Sequence, residues 1–442
     1  MTARIRRLAT LALAAAALAG AARAEEPARV LTLAQALTAA RSHQPQLRQA
    51  RAFSAAAAAR ADEARAPLLP QISASGLYER TTTNQVPRPG IPTSASTNDL
   101  TTTAGWWIFG ANLNQIVYDF GQSTGRWRAA QALAASQRET EASTGLQADL
   151  AVCIAFFNAR ATRDLVTVAR DNLANVETHL HQSEAFVRLG THPAIDLAQA
   201  RTNLANAQVQ LINAENGHLA AKAQLNQAMG DEGATDYEVA SDGLEPVPGE
   251  DQSLDALLTE ALGARPDLAA LQQQARAQEL TLSSVHGAYA PSLGLFAGAT
   301  SVGSTPSGSV PNWDAGLSLT WNLFQGGLTS AQAREANANL DAARAQADVL
   351  RQQVRVDLEQ ARLAVRAARS ALTAATAALD NAREQLRLAE RRYDTGVGNA
   401  VELGDSQLAV ANAAAQRVQA DFNLSTSRAL LLRALGREVP HA

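Results

Sequence analysis

Gly121-Gln122-Ser123-Thr124-Gly125 spells G-x-S-x-G, the pattern of a turn that lifts a serine hydroxyl toward a substrate. Such a serine needs alternating α/β units and a later acid and histidine, a setting that a chain patterned as long rods does not supply. His179 and His181 stand two apart, so on a helix they point to different faces and make a poor metal pair. The glycine-poor helices hold no phosphate-cradling loop. Cys153 is the only cysteine and lies in a helical pattern, so it forms no internal disulfide and suits a small buried apolar role. Glu402 and Asp405 are three apart and share a helix face just after a Gly-containing reversal. Their charges either focus cations or only complement the positive end of a helix. The expectation is a protein with no catalytic residues, no metal and no cofactor.

Long helices must position these residues. Leu328 to Thr395 runs for 68 residues without Gly or Pro. Its small and large apolar residues alternate through Ala361, Val365, Ala368, Leu372, Ala375, Leu379, Ala382, Leu386, Ala389 and Tyr393. That is the 3-4 spacing of a coiled-coil seam, over a helix of roughly 100 Å. Residues 1–24 join Arg4, Arg6 and Arg7 to an apolar run and an Ala22-Arg23-Ala24 site, which reads as a cleaved signal peptide. Its removal takes four arginines and moves the formal charge from −4 to −8; no basic stripe favours nucleic acid. No later run of 18 apolar residues exists, so a membrane crossing must use strands.

The chain is a duplication. Gln44-Pro45 recurs as Arg265-Pro266 and Pro70 as Pro291, at an offset of 221; Trp107, Gly190 and Gly230 recur as Trp313, Gly396 and Gly436, at 206. The first repeat covers 25–230, with a helix, two strands near 70–120, a long helix at 126–188 and a return helix at 194–229. An acidic connector covers 231–255. The second repeat, 256–436, has strands near 291–325, a long helix at 328–395 and a return helix at 400–435, and 437–442 form a tail. Trp313 to Phe324 alternates most cleanly, with Trp313, Ala315, Leu317, Leu319, Trp321 and Leu323 on one face. Trp106, Trp107, Trp313 and Trp321 fall in these stretches and suit a bilayer interface. A soluble sheet packed on a helix would show the same parity. In lipid, however, four strands leave open edges. Three chains would give twelve strands, the smallest count that leaves a pore.

The duplicated order resembles the TolC family of outer-membrane efflux proteins. So do Leu68-Leu69-Pro70-Gln71-Ile72, Tyr289-Ala290-Pro291-Ser292-Leu293, Leu323-Phe324-Gln325-Gly326-Gly327 and Arg392-Tyr393-Asp394-Thr395-Gly396 with Glu402-Leu403. The resemblance covers nearly the whole mature chain. It implies a mainly α fold with a membrane β-barrel: a homotrimeric twelve-stranded barrel, four strands per chain, on a long periplasmic α-helical coiled-coil barrel. It implies a passive exit duct for efflux or type I secretion. The duct sits in outer-membrane lipid and works with a periplasmic adaptor (membrane fusion) protein and an inner-membrane pump of RND, ABC or MFS type. Glu402 and Asp405 would ring the closed periplasmic mouth. Tyr393 would latch it, with Asp196 as a possible partner. The family's latch also uses an arginine in the second reversal, where this chain has Gly398. The tips Leu189-Gly190-Thr191 and Thr395-Gly396-Val397 would meet the adaptor. The other expectation is a soluble periplasmic coiled-coil adaptor or scaffold.

Overall fold

The computed structural model describes residues 29–82, 103–191 and 193–440. Residues 1–28, which include the segment read as a signal peptide, residues 83–102 of the first loop, His192 and residues 441–442 of the tail lie outside the described residues. The elements are β1 (Arg29–Leu31), α1 (Leu33–His43), α2 (Pro45–Arg65), β2 (Gln71–Thr82), β3 (Thr103–Tyr118), α3 (Gln122–Arg188) and α4 (Ala194–Met229). There follow β4 (Tyr237–Val239), α5 (Leu254–Ala264), α6 (Pro266–Gly287), β5 (Ser292–Gly303), β6 (Val310–Thr320), α7 (Leu328–Asp394) and α8 (Ala400–Leu435). The long helices α3 and α7 have 67 residues each, and the return helices α4 and α8 have 36 each. Among the described residues no helix is long and apolar enough to cross a membrane. The chain forms two compact units that do not follow the repeats. One takes Gln49–Ser143 and Arg265–Gln353; the other takes Met1–Arg48, Thr144–Ala264 and Val354–Ala442.

The first unit carries an antiparallel sheet in the order β2-β3-β5-β6, so β2 and β6 are its edges. Its register sorts the side chains. Ile72, Leu113, Ala297 and Ala315 form one row across the sheet, Ala74, Ala111, Ala299 and Trp313 the next, and Tyr78 stands opposite Trp107. The other face carries Ser73, Asn112 and Asp314 in register across Gly298. A bulge between Ile116 and Tyr118 shifts the parity, bringing Tyr118 opposite Leu293 on the apolar face. The apolar face is uncovered: Ile72 is 76% exposed and Trp313 78%.

Three expectations change here. Trp106 pairs with Glu79 and so lies on the face opposite Trp107, because neighbouring strand residues cannot share a face. The stretch read as a strand to Phe324 ends at Thr320, whose partner is Ser292; the residue before Ser292 is Pro291, which has no N–H to donate. Trp321 therefore lies beyond β6, where its indole donates to the Tyr289 carbonyl at 3.1 Å. The long helix read from residue 126 starts at Gln122. Gly121 turns the chain at φ +88°, and the Asp119 carboxylate accepts from the Ser123 N–H at 2.7 Å.

The second unit holds the two helical hairpins. Phe156, Phe157, Leu37, Leu225, Leu257, Leu431 and Leu435 are fully buried in it. The seam of α7 is buried at Leu358, Ala361, Val365, Ala368, Leu379, Ala382, Leu386, Ala389 and Tyr393, and only half-buried at Leu372 and Ala375. The connector contains a strand: β4 pairs in parallel with β1. Leu31 ends β1, and Thr32 caps α1 through a capping box with Gln35. Five arginines fasten the connector. Arg160 donates to the Asp242 carbonyl and to the Asp421 carboxylate, and Arg163 to the Val239 carbonyl. Arg428 donates to the Leu244 carbonyl at 2.8 Å, and Arg437 to that of Pro248 at 2.8 Å. Arg369 reaches Asp251 at 2.8 Å.

That last bond makes the clasp sensitive to acid. The hydrogen bond from Arg369 holds the Asp251 carboxyl below its usual range. A carboxyl depressed in the fold contributes stability above its unfolded pKa and loses it as pH falls through the folded value. Amide exchange in 246–252 should therefore keep its protection from pH 7 down to about 4 and lose it below that. Asp251→Asn should lose part of that protection already at pH 7. Protection independent of both changes would show that the other arginines suffice.

Candidate gate at the second helical hairpin

The α7–α8 turn is tight because its residues permit it. After Asp394 the chain passes through Gly396 at φ +72°. The N–H groups of Val397 and Gly398 both return to the Arg392 carbonyl, at 3.0 and 2.8 Å, closing the C-terminus of α7. Asn399 caps α8, its Oδ1 accepting from the Glu402 N–H at 2.7 Å. A Cβ on Gly398 would stand 3.0 Å from the Tyr393 nitrogen and 3.1 Å from the Arg392 carbonyl carbon. A side chain at 398 would therefore force this turn to shift. Arg392 places a guanidinium at this turn, its Nη1 lying 2.9 Å from Glu402 Oε1. Arg392 and Glu402 are equidistant from Val397 at the centre of the hairpin, a symmetry that could have identified the pair. Both are part-exposed, which limits the pair to at most about 1 kcal/mol.

Glu402 and Asp405 line different spaces. Glu402 borders a cavity of about 510 Å³ with Gln385, Leu388, Arg391, Arg392 and Ser406. The exposed Asp405 borders one of about 340 Å³ with Gln199, Asn203, Asn206, Gln210 and Gln407. One carboxylate is matched by a cation, while the other faces amides.

Tyr393 is 1% exposed and packs with Leu386, Ala389, Ala400 and Leu403. His179 meets its ring edge-on at 5.0 Å, and Phe186 lies 6.0 Å away. Its hydroxyl stands 3.5 Å from Ser183 Oγ. His179, Ser183 and Phe186 belong to this site through a helix more than two hundred positions away, a contact that spacing along the chain does not reveal. His181 is separate, with an 81% exposed side chain and its Nδ1 3.9 Å from Glu184. Asp196 occupies the first turn of α4, its N–H donating to the Pro193 carbonyl at 3.1 Å. The other tip has Gly190 at φ +71° and Thr191 bonded to the Phe186 carbonyl. Leu189, Ile195, Val397 and Val401 expose apolar side chains at the two tips, between 63% and 75%.

Ser123 sits buried in the first turn of α3. The adjacent cavity is lined by Ala64, Asp119, Arg126, Ser292 and Ser318 among others, with no histidine among the described lining. Gly125 is there for packing, since a Cβ would come within 2.8 Å of Ser284 Cβ. The thiol of Cys153 is pushed up to about 12 by burial and by the charge of Asp149. Among the described residues no group of three His, Cys, Asp or Glu is placed to hold a metal ion.

The chain belongs to the outer membrane efflux protein family, whose model matches residues 36–231 and 257–437; it is a protein of the outer membrane and periplasm. It is similar to the outer membrane efflux protein BepC of Brucella suis, at 25% identity over 237 residues, 53% of this chain. The toluene efflux pump outer membrane protein TtgF of Pseudomonas putida is 28% identical over 327 residues, 72% of this chain. The matches span 51% of BepC and 66% of TtgF. The Campylobacter jejuni CmeC outer membrane channel has the same fold, with a TM-score of 0.80 at 17% identity over 93% of this chain and 86% of that one.

Proposed function

We propose that this chain is one third of an outer-membrane exit channel, a passive duct for efflux or secretion gated at the α7–α8 hairpin. One observation carries this reading: a four-stranded sheet with one exposed apolar face and two free edges. Such edges are not tolerated in lipid, so copies must join β2 of one chain to β6 of the next. Three copies close twelve strands as a homotrimer. Aromatic residues bound the apolar face. Tyr78 and Trp107, with ring centroids 4.9 Å apart, lie toward the loops, and Tyr118 and Phe120, 4.8 Å apart, lie toward the helices. From Trp107 to Tyr118 the strand rises about 36 Å, or about 28 Å of height at the usual tilt, close to the apolar band of such barrels. The same exposed face argues against a soluble periplasmic adaptor or scaffold.

A periplasmic adaptor would engage the helical tips, and an inner-membrane pump of RND, ABC or MFS type would supply the energy. The chain itself then makes and breaks no covalent bond. Membrane fractionation and heat-modifiable trimers on gels test the assembly; a soluble periplasmic monomer would exclude it. Planar-bilayer recording tests the gate. Glu402→Ala with Asp405→Ala should lower cation preference, and Asp405→Asn alone should account for most of the loss, because Arg392 already balances Glu402. Unchanged selectivity in the double variant would remove the acidic ring from the account.

A further inference from the structure

The face of the sheet opposite the lipid side is not polar throughout. Leu77, Ile108, Val302 and Val310 form one row in register across all four strands. This row lies about 13 Å toward the loops from the row holding Ser73, Asn112 and Asp314. Beside it, on the same face, Trp106 pairs with Glu79. The Trp106 indole nitrogen is buried without a hydrogen-bond partner among the described residues. Glu79 is half-buried and forms no ion pair among them. A wet channel wall gives no reason for four aliphatic side chains in line, next to an aromatic ring and an unmatched carboxylate.

We infer that this patch is a transit site for organic cations that carry an alkyl or aryl body. The inference rests on the trimeric-barrel reading, which puts this face in the lumen. The aliphatic row would take the apolar body, while Glu79 and the face of Trp106 would attract the positive end. Asp314, on the same face and also without an ion pair among the described residues, offers the cation its next stop along the wall.

Tetraalkylammonium ions test this by blocking current through the trimer in planar bilayers, added to each side in turn. Tetrabutylammonium should half-block at a concentration at least about tenfold below that of tetramethylammonium, since each methylene adds apolar contact. Ile108→Thr with Val302→Thr should bring that ratio close to one. Glu79→Gln, nearly isosteric, should weaken block by both ions alike and leave the ratio. Trimer on gels and unblocked conductance verify assembly. Cysteine placed at Val302 gives a second measure, since Cys153 is buried and inert: tetrabutylammonium should slow its labelling by a small thiol reagent at least about threefold, and should not slow labelling of cysteine at Ser75. A ratio unchanged by the threonine pair, or labelling unaffected by the cation, would overturn the site. A chain that conducts no current at all would instead remove the channel reading on which the site depends.

Discussion

Gly230→Ala should cost far more than Gly190→Ala, although both glycines hold the same φ of +71°. The left-handed conformation alone costs an alanine about 1–2 kcal/mol at either position. At Gly190 nothing among the described residues lies within 4 Å of the added Cβ, so the cost ends there. At Gly230 the Cβ would stand 2.7 Å from Gln44 Cα, 2.8 Å from its nitrogen and 2.9 Å from the His43 carbonyl carbon. All three are backbone atoms at the break between α1 and α2, and they cannot swing aside. The joint is also tied from the other side, since Gln44 Nε2 donates to the Ala228 carbonyl at 2.8 Å. Parting the backbones would strain that bond, so the total should reach about 3 kcal/mol or more. Thermal unfolding of the purified protein and the amount of folded protein in membranes measure it. Equal losses for the two variants would mean that the α1–α2 break gives way easily.

Tyr393→Ala should open the hairpin, and Tyr393→Phe should barely change it. Removing a fully buried aromatic ring costs about 3–5 kcal/mol, part transfer and part residual cavity. Here that loss falls on the contact between α7 and α3, where His179 and Phe186 flank the ring. A single hydrogen bond contributes about 0.5–1.5 kcal/mol net, so deleting the hydroxyl, which stands 3.5 Å from Ser183 Oγ, should cost well below the loss of the ring. Conductance in planar bilayers should rise several-fold for the alanine variant and stay near the parent for phenylalanine. If phenylalanine opens the channel as much as alanine does, the hydroxyl and its polar partners form the latch and ring packing does not. If neither variant changes conductance, the gate lies elsewhere.

Much of the architecture depends on short-range periodicity and is legible in the sequence. The 3-4 seam of α7 needs only the residues of that helix, and most of its positions are buried as the spacing implies. The reversals at Gly190 and Gly396 and the strand alternation are equally local, and the duplication is a comparison of the chain with itself. The period of two already separates Trp106 from Trp107. Long-range register decided the rest. The strand inside the acidic connector is three residues long and exists only because β1, more than two hundred positions earlier, pairs with it. The arginines that clasp the connector lie on α3, on α7, on α8 and just beyond its end, and spacing along one helix says nothing of a carbonyl on another segment. The Glu402–Arg392 pair follows from the symmetry of its own turn, but that Asp405 faces α4 depends on how the two hairpins pack. The aliphatic row Leu77, Ile108, Val302 and Val310 exists only in the sheet, because a strand pattern shows which residues share a face and not which strand, in which register, lies beside it.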